Sequence, residues 1–242
     1  MMRVQKILCL ISVILLLSGC LYPEEKKIQQ TVPKNDQLSG VQEAVNEFKK
    51  ENGGLLPIKT SGTDTPLYQK YVIDFDRLSP RYLTEPPGTS FENGGEYLYV
   101  LTDVENKPTV KLIDLKISEE IRKLKLLLQM YKDRHKYPPF HKQMAGGLFA
   151  LNYEKLGLKQ PPEVTSPVTG NSLPLLIDGH GEIVVDYRSD LSFLLDHRNE
   201  SYPKGAPIQD IYWKETPFVP AFSPGYTLNE KGEPEFISIM EK

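Results

Sequence analysis

Two cysteines, four histidines and a few closely spaced carboxylates are the residues of this sequence from which chemistry can be built. Cys9 lies inside an apolar run, and Cys20 closes the segment Leu17-Ser18-Gly19-Cys20. His135, His141, His180 and His197 include no helical i, i+4 pair with a glutamate between, the spacing that holds zinc. His135 and His141 also stand among lysines that repel a cation. These read as surface histidines, and neither a metal nor a cofactor is expected. Asp74 and Asp76 share one face if their stretch is extended. Such a pair can serve acid–base work, though a solvated strand face is its commoner role. Asp178-Gly179-His180-Gly181-Glu182 offers too few oxygens for the six to eight that calcium takes, so it reads as a hairpin turn.

Serine chemistry has two candidate fragments. Ser201-Tyr202-Pro203-Lys204 has S-x-x-K spacing, and Lys59-Thr60-Ser61-Gly62 is similar to the K-T-G element of penicillin-binding proteins. The serine there precedes the K-T-G strand, and here it follows. Pro203 also interrupts the helical turn that would place Lys204 beside the serine oxygen. No G-x-S-x-G, Walker A or G-x-G-x-x-G motif is present, and a net charge of −3 argues against nucleic acid.

The N-terminal residues carry the most specific signal. Arg3 and Lys6 precede an apolar run from Ile7 to Leu17. As a helix that run spans roughly 16 Å, against a hydrocarbon core of about 30 Å, which suits a secretory signal rather than a membrane span. The Leu-Ser-Gly-Cys ending resembles the lipobox of bacterial lipoproteins. That resemblance implies removal of residues 1–19 as a signal peptide and attachment of diacylglyceryl, with acyl chains such as palmitate, to Cys20. It implies a lipid anchor on the extracytoplasmic face of the cell membrane. The mature chain then has no thiol and a net charge of −5, which an anionic leaflet repels. Two acyl chains suffice for stable anchoring without electrostatic help. Residues 20–37, polar and proline-marked, read as a flexible tether with a reach of at most about 55 Å.

Beyond the tether the pattern is α+β, with two tandem helix-plus-antiparallel-hairpin units at 38–115 and 116–187. Leu38, Val41, Val45 and Phe48 form one stripe of a helix over about 40–52, with Ser39 and Gln42 as its capping box. Ile121, Leu124, Leu128 and Tyr131 repeat that spacing over about 119–134, behind Ser118 as N-cap. Leu126, Leu127 and Met130 widen the second stripe, so this helix is expected to be covered on more than one side. Hairpins are predicted at 97–101 with 109–113, and at 173–177 with 183–187. Tyr137-Pro138, Ser166-Pro167-Val168-Thr169-Gly170 and the Asp178-Gly179 turn resemble the globular part of type II secretion pseudopilins, which implies a shape only. Across its length the chain resembles the YphF-type lipoproteins of Gram-positive bacilli, which implies location and brings no activity with it.

Residues 188–242 are rich in proline and aromatics. Proline at this density excludes a long helix or a central strand. The segment is expected to wrap the body in extended form, with room for a short helix at 189–196. Tyr212, Trp213, Phe218, Phe222 and Tyr226 are its candidates for gripping a sugar or peptide partner; covering the two hydrophobic units is their alternative use. The functional expectation is a non-catalytic envelope or cell-wall binding protein. The alternatives are an extracytoplasmic hydrolase acting on wall polymer or peptide, and a transporter-associated solute-binding protein.

Overall fold

The computed structural model describes residues 34–197, 202, 203 and 205–237, so the predicted signal peptide, Cys20 and nearly all of the predicted tether lie outside the described residues. Helix α1 (Lys34–Glu51) buries Val41, Ala44, Val45 and Phe48 along the predicted stripe. It starts earlier than the sequence suggested. Ser39 is no cap; it sits inside the helix and donates to the Asn35 carbonyl at 3.0 Å. Gln42 holds the hairpin instead, donating to Pro108 O at 3.0 Å and accepting from Val110 N–H at 2.8 Å.

Two one-turn helices, α2 (Leu67–Lys70) and α3 (Phe75–Leu78), lead to the hairpin of β1 (Tyr97–Thr102) and β2 (Thr109–Asp114). Its register runs from Tyr97 opposite Asp114 to Thr102 opposite Thr109. Because side chains alternate across a strand, Tyr99, Leu101, Val110 and Leu112 join the main core with α1. Val100 and Ile113 face the other way and form a second, smaller core. The ladder extends past β1, where Ile73 N–H donates to Tyr99 O and Leu101 N–H to Tyr71 O. Just before β1 the chain doubles back so closely that a Cβ on Gly95 would lie 2.1 Å from the Thr89 carbonyl carbon. Only glycine fits there.

Helix α4 (Leu115–His135) begins directly off β2, with the Asp114 carboxylate accepting from Lys116 N–H at 2.8 Å. Ser118, the predicted cap, lies inside the helix. Ile117, Ile121, Leu124 and Leu128 are buried, but Leu126 is 62% and Met130 50% exposed. The helix is therefore covered on one face, and the wider apolar stripe meets solvent. Lys136, at φ 70°, ends it by returning its N–H to Lys132 O.

A five-stranded sheet follows, made of β3 (Phe140–Gln143), β4 (Leu148–Leu151), β5 (Glu163–Thr165), β6 (Ser172–Asp178) and β7 (Ile183–Val185). Strand β6 organises it, pairing antiparallel with β5 at residues 172–174, with β7 at 175–177 and with β4 at 177–178. The predicted second hairpin is the β6–β7 part of this sheet. The molecule is of the α+β class, with antiparallel sheets and packed helices.

The C-terminal segment is more regular than an extended wrap. It holds α5 (Arg188–Asp196), α6 (Asp210–Glu215) and a hairpin of β8 (Tyr226–Leu228) with β9 (Pro234–Phe236). Between α6 and β8 runs a strap that joins the β1–β2 hairpin to the five-stranded sheet. Leu112 N–H donates to Pro217 O and Val219 N–H to Leu112 O, so residues 217–219 pair in parallel with β2. The Lys111 ammonium donates to Thr216 O at 2.7 Å. Further on, Val185 N–H of β7 donates to Phe222 O at 2.9 Å. The chain changes direction at Phe222, whose φ of 59° is uncommon for a bulky residue, and whose ring packs against both cores.

Buried hydroxyls fasten the strap. Tyr226 accepts from Tyr187 N–H at 2.8 Å and donates to Val185 O at 3.0 Å, while Tyr187 donates to Ala221 O at 2.9 Å. Asp190, fully buried on α5, accepts from Ser166 Oγ at 2.6 Å, Thr169 Oγ1 at 2.7 Å and Tyr212 Oη at 3.0 Å. Burial is the main cause that pushes the phenols of Tyr68, Tyr99, Tyr187, Tyr212 and Tyr226 up from their ordinary 10, that of Tyr68 to about 12. A phenol with a raised folded-state value contributes stability that is complete below pH 10 and is lost as pH rises through that value. An alkaline titration should therefore show these phenols ionising together with loss of the far-ultraviolet dichroism. Smooth ionisation of all tyrosines from pH 10 with the dichroism intact would contradict their burial.

Candidate functional site

A cleft of about 230 Å³ opens where α2, the β1–β2 turn and α6 meet. Tyr68 and Tyr71 come from α2 and the residue after it, Asp103 and Glu105 from the turn, and Trp213 from α6. Local bonds set the shape of the turn. Asp103 sits at φ 48°, a left-handed value that aspartate tolerates better than most residues. Asn106 returns to it, donating through Nδ2 to the Asp103 carboxylate at 2.8 Å. Trp213 and Tyr68 also pack against the second core of Val100, Ile113, Val219 and Ala221, which ties the walls of the cleft to the body. Leu67 stands at its mouth with 67% of its surface exposed.

The electrostatics are those of an aromatic cleft with an acidic rim. Burial, followed by the charge of Asp210, pushes the Tyr68 phenol up to about 12. Lys214 pairs with Asp210 and lies 5.7 Å from the Trp213 ring centroid, and Lys70 lies 5.7 Å from that of Tyr71. These faces already accept cations, as aromatic quadrupoles do. The cleft is smaller than the roughly 300–1,000 Å³ of pockets that enclose whole small molecules. It matches one side chain or ring stacked on aromatics with polar groups at the edge.

The aromatics singled out in the sequence divide sharply. Tyr212, Phe218 and Tyr226 are buried in the main core, and an external partner cannot reach them. Their hydrophobic surface closes the fold, and the Tyr212 and Tyr226 hydroxyls serve internal bonds. Phe222 is half-buried at the corner of the strap. Trp213 alone of the five lines the cleft. Tyr68, Tyr71 and the Asp103–Asn106 turn escaped the sequence reading. Nothing in the primary structure ties them to a tryptophan more than a hundred residues away.

The other chemical candidates dissolve into structure. Asp74 precedes α3 and pairs with Arg77 at 3.2 Å, whereas Asp76 lies within that helix, so they do not share the face of an extended strand. The Asp178 carboxylate caps its own turn, accepting from His180 N–H at 2.9 Å and Glu182 N–H at 2.8 Å. Lys59 pairs with Glu92 at 2.7 Å, and Thr60, Ser61 and Gly62 are exposed. Ser201 and Lys204 lie outside the described residues. All four histidines are exposed. Among the described residues no group of three or more His, Cys, Asp or Glu side chains is arranged to hold a metal. Nor, among them, is any helix long and apolar enough to cross a membrane.

No curated protein and no solved structure matches this chain. Residues 34–114, from the first residue of α1 to the last of β2, are similar to the YphF family N-terminal domain, whose family model matches them.

Proposed function

We propose that the chain is an extracytoplasmic lipoprotein, held to the cell membrane through acylated Cys20, whose α+β body is a non-catalytic binding module for an envelope or cell-wall partner. The observation that carries this reading is the segment Leu17-Ser18-Gly19-Cys20 behind a basic start and a short apolar run. On this reading residues 1–19 are the signal peptide and residues 20–37 the tether. The cleft at Trp213 supports the binding part. Its aromatic walls and the carboxylates of Asp103 and Glu105 suit recognition of a ring or a cationic side chain.

The test is fractionation with mass spectrometry. Wild-type protein should stay with membranes, and its N-terminal peptide should begin at a diacylated Cys20. A Cys20→Ala variant should lose the acyl mass and shift largely to the soluble fraction or the medium. A bare Cys20 thiol on membrane-extracted wild-type protein would sink the anchor. Extracted wild-type protein should also co-purify a stoichiometric partner that Trp213→Ala loses. A partner retained at full level by Trp213→Ala would place recognition elsewhere.

A further inference from the structure

Charge on α4 is sorted along its length, and the sorting marks one end of the molecule. Among the described residues, three of the four cations on its first half are neutralised, Lys116 by Glu96, Lys123 by Glu119 with Glu120, and Lys125 by Glu182, and Arg122 alone is not. The far end differs. Arg134, Lys136 and Lys142 are exposed, and among the described residues none makes an ion pair. Lys132 joins them, reaching the β6–β7 turn, where its Nζ lies 3.6 Å from the position a Gly181 Cβ would take. Over residues 130–142 the only anion is Asp133, and its carboxylate is engaged by Gln129 at 2.7 Å.

Apolar side chains are exposed among these cations. Tyr137 is 60%, Met130 50% and Phe140 39% exposed. Strand β3 is exposed at every residue and, among the described residues, pairs only with β4. Cations at a helix C-terminus offset the macrodipole, and lysine on an edge strand discourages pairing with another chain. Neither need calls for an exposed tyrosine, phenylalanine and methionine beside them. Basic side chains with aromatics between them are what an anionic bilayer surface retains, the charges meeting headgroups and the rings the interface.

We propose that the end of the molecule formed by the last turn of α4, residues 136–139 and β3 docks on an anionic phospholipid surface. The proposal rests on the reading of Cys20 as an anchor that keeps this surface near the bilayer. The whole mature chain is acidic and predicts repulsion; the local distribution supplies the attraction instead. Docking would fix which side of the body faces the membrane.

The test is amine labelling of the full lipidated chain, read lysine by lysine, in vesicles of phosphatidylcholine alone and of phosphatidylcholine with phosphatidylglycerol. In anionic vesicles Lys132, Lys136 and Lys142 should label roughly tenfold more slowly, while Lys59 and Lys231 keep their rates. Salt at about 1 M, where the screening length is about 3 Å, should restore labelling. An Arg134→Glu/Lys136→Glu/Lys142→Glu variant should leave Lys132 unprotected in either vesicle. Equal labelling of the three lysines in both vesicle types overturns the proposal. So does protection by soluble polyphosphate but not by vesicles, which would make a free anionic polymer the occupant. Retention on vesicles reports separately on the anchor. A chain that sediments only with anionic vesicles, and releases in salt, sinks the acyl anchor and leaves the docking surface standing. Release from both types sinks both.

Discussion

A chain ended after Thr216 should not fold. The truncation removes Phe218, Val219, Tyr226, Leu228 and Phe236, all buried. At about 1.5–3 kcal/mol for each large side chain, their burial contributes on the order of 10 kcal/mol. That is an upper estimate, because the unfolded chain already hides part of this surface. It is still comparable with the roughly 5–15 kcal/mol that separates a folded domain from its unfolded state. The loss also opens the ladder edge of β2 at Leu112 and uncovers Val100 and Ile113. The β1–β2 hairpin is therefore not sealed by its own α1 unit. Thermal melting by circular dichroism and limited proteolysis should show no cooperative transition and no protected N-terminal core. A truncated chain that melts cooperatively within a few degrees of the full one would show that the strap is decoration.

Asp190→Ala should lower stability by on the order of 3 kcal/mol, the largest effect expected of a single polar side chain here. Its carboxylate accepts from Ser166, Thr169 and Tyr212 in a fully buried site. The Ser166 oxygen also accepts from Val168 N–H and Thr169 N–H at 3.0 Å each, so the same hydroxyl fixes the turn that follows it. Alanine leaves two buried donors, Ser166 and Tyr212, without that acceptor, at about 1–3 kcal/mol apiece, and frees the half-buried Thr169 hydroxyl. Relief from holding a buried carboxylate returns part of that cost, which brings the net to the stated value. Asp190→Asn keeps one acceptor and should cost less. Adding Tyr212→Phe to Asp190→Ala should cost less than the two changes taken separately, since it removes one of the stranded donors. Denaturant titration of the wild type and of the four variants, Tyr212→Phe alone included, measures this. An Asp190→Ala loss below about 1 kcal/mol, the worth of one ordinary hydrogen bond, would show that the three hydroxyls find other partners.

The sequence revealed whatever depends on periodicity. The stripes of α1 and α4 lie where their apolar residues placed them, because one face of each helix is buried and the opposite face is not; β1 and β2 lie where their apolar runs placed them, with apolar residues on both faces to meet two cores. It failed where several residues could serve equally. Asp114 and Ser118 are both good N-caps, and only the geometry of β2 passing straight into α4 selects Asp114. Strand β3 carries no alternation because every residue of it is exposed, so Phe140–Gln143 gave no strand signal. Helix α6 is short and stands on the tertiary burial of Ile211 and Tyr212 rather than on propensity. Leu126 and Met130 misled in the other direction, as apolar residues that stay in solvent. The cleft was the least legible feature. Trp213 was picked out as an aromatic, but its partners Tyr68 and Tyr71 are gathered only by the folded path of the chain.

The strap also sets a timetable. Synthesis runs from the N-terminus, so residues 217–222, which zip β2 to β7, leave the ribosome after both of those strands have been made. Until they arrive, two sheet rims stay unclosed and the sealing tyrosine hydroxyls have nothing to grip. A nascent chain in that condition is still unsealed, and it hardens only once residues 217–222 have been delivered.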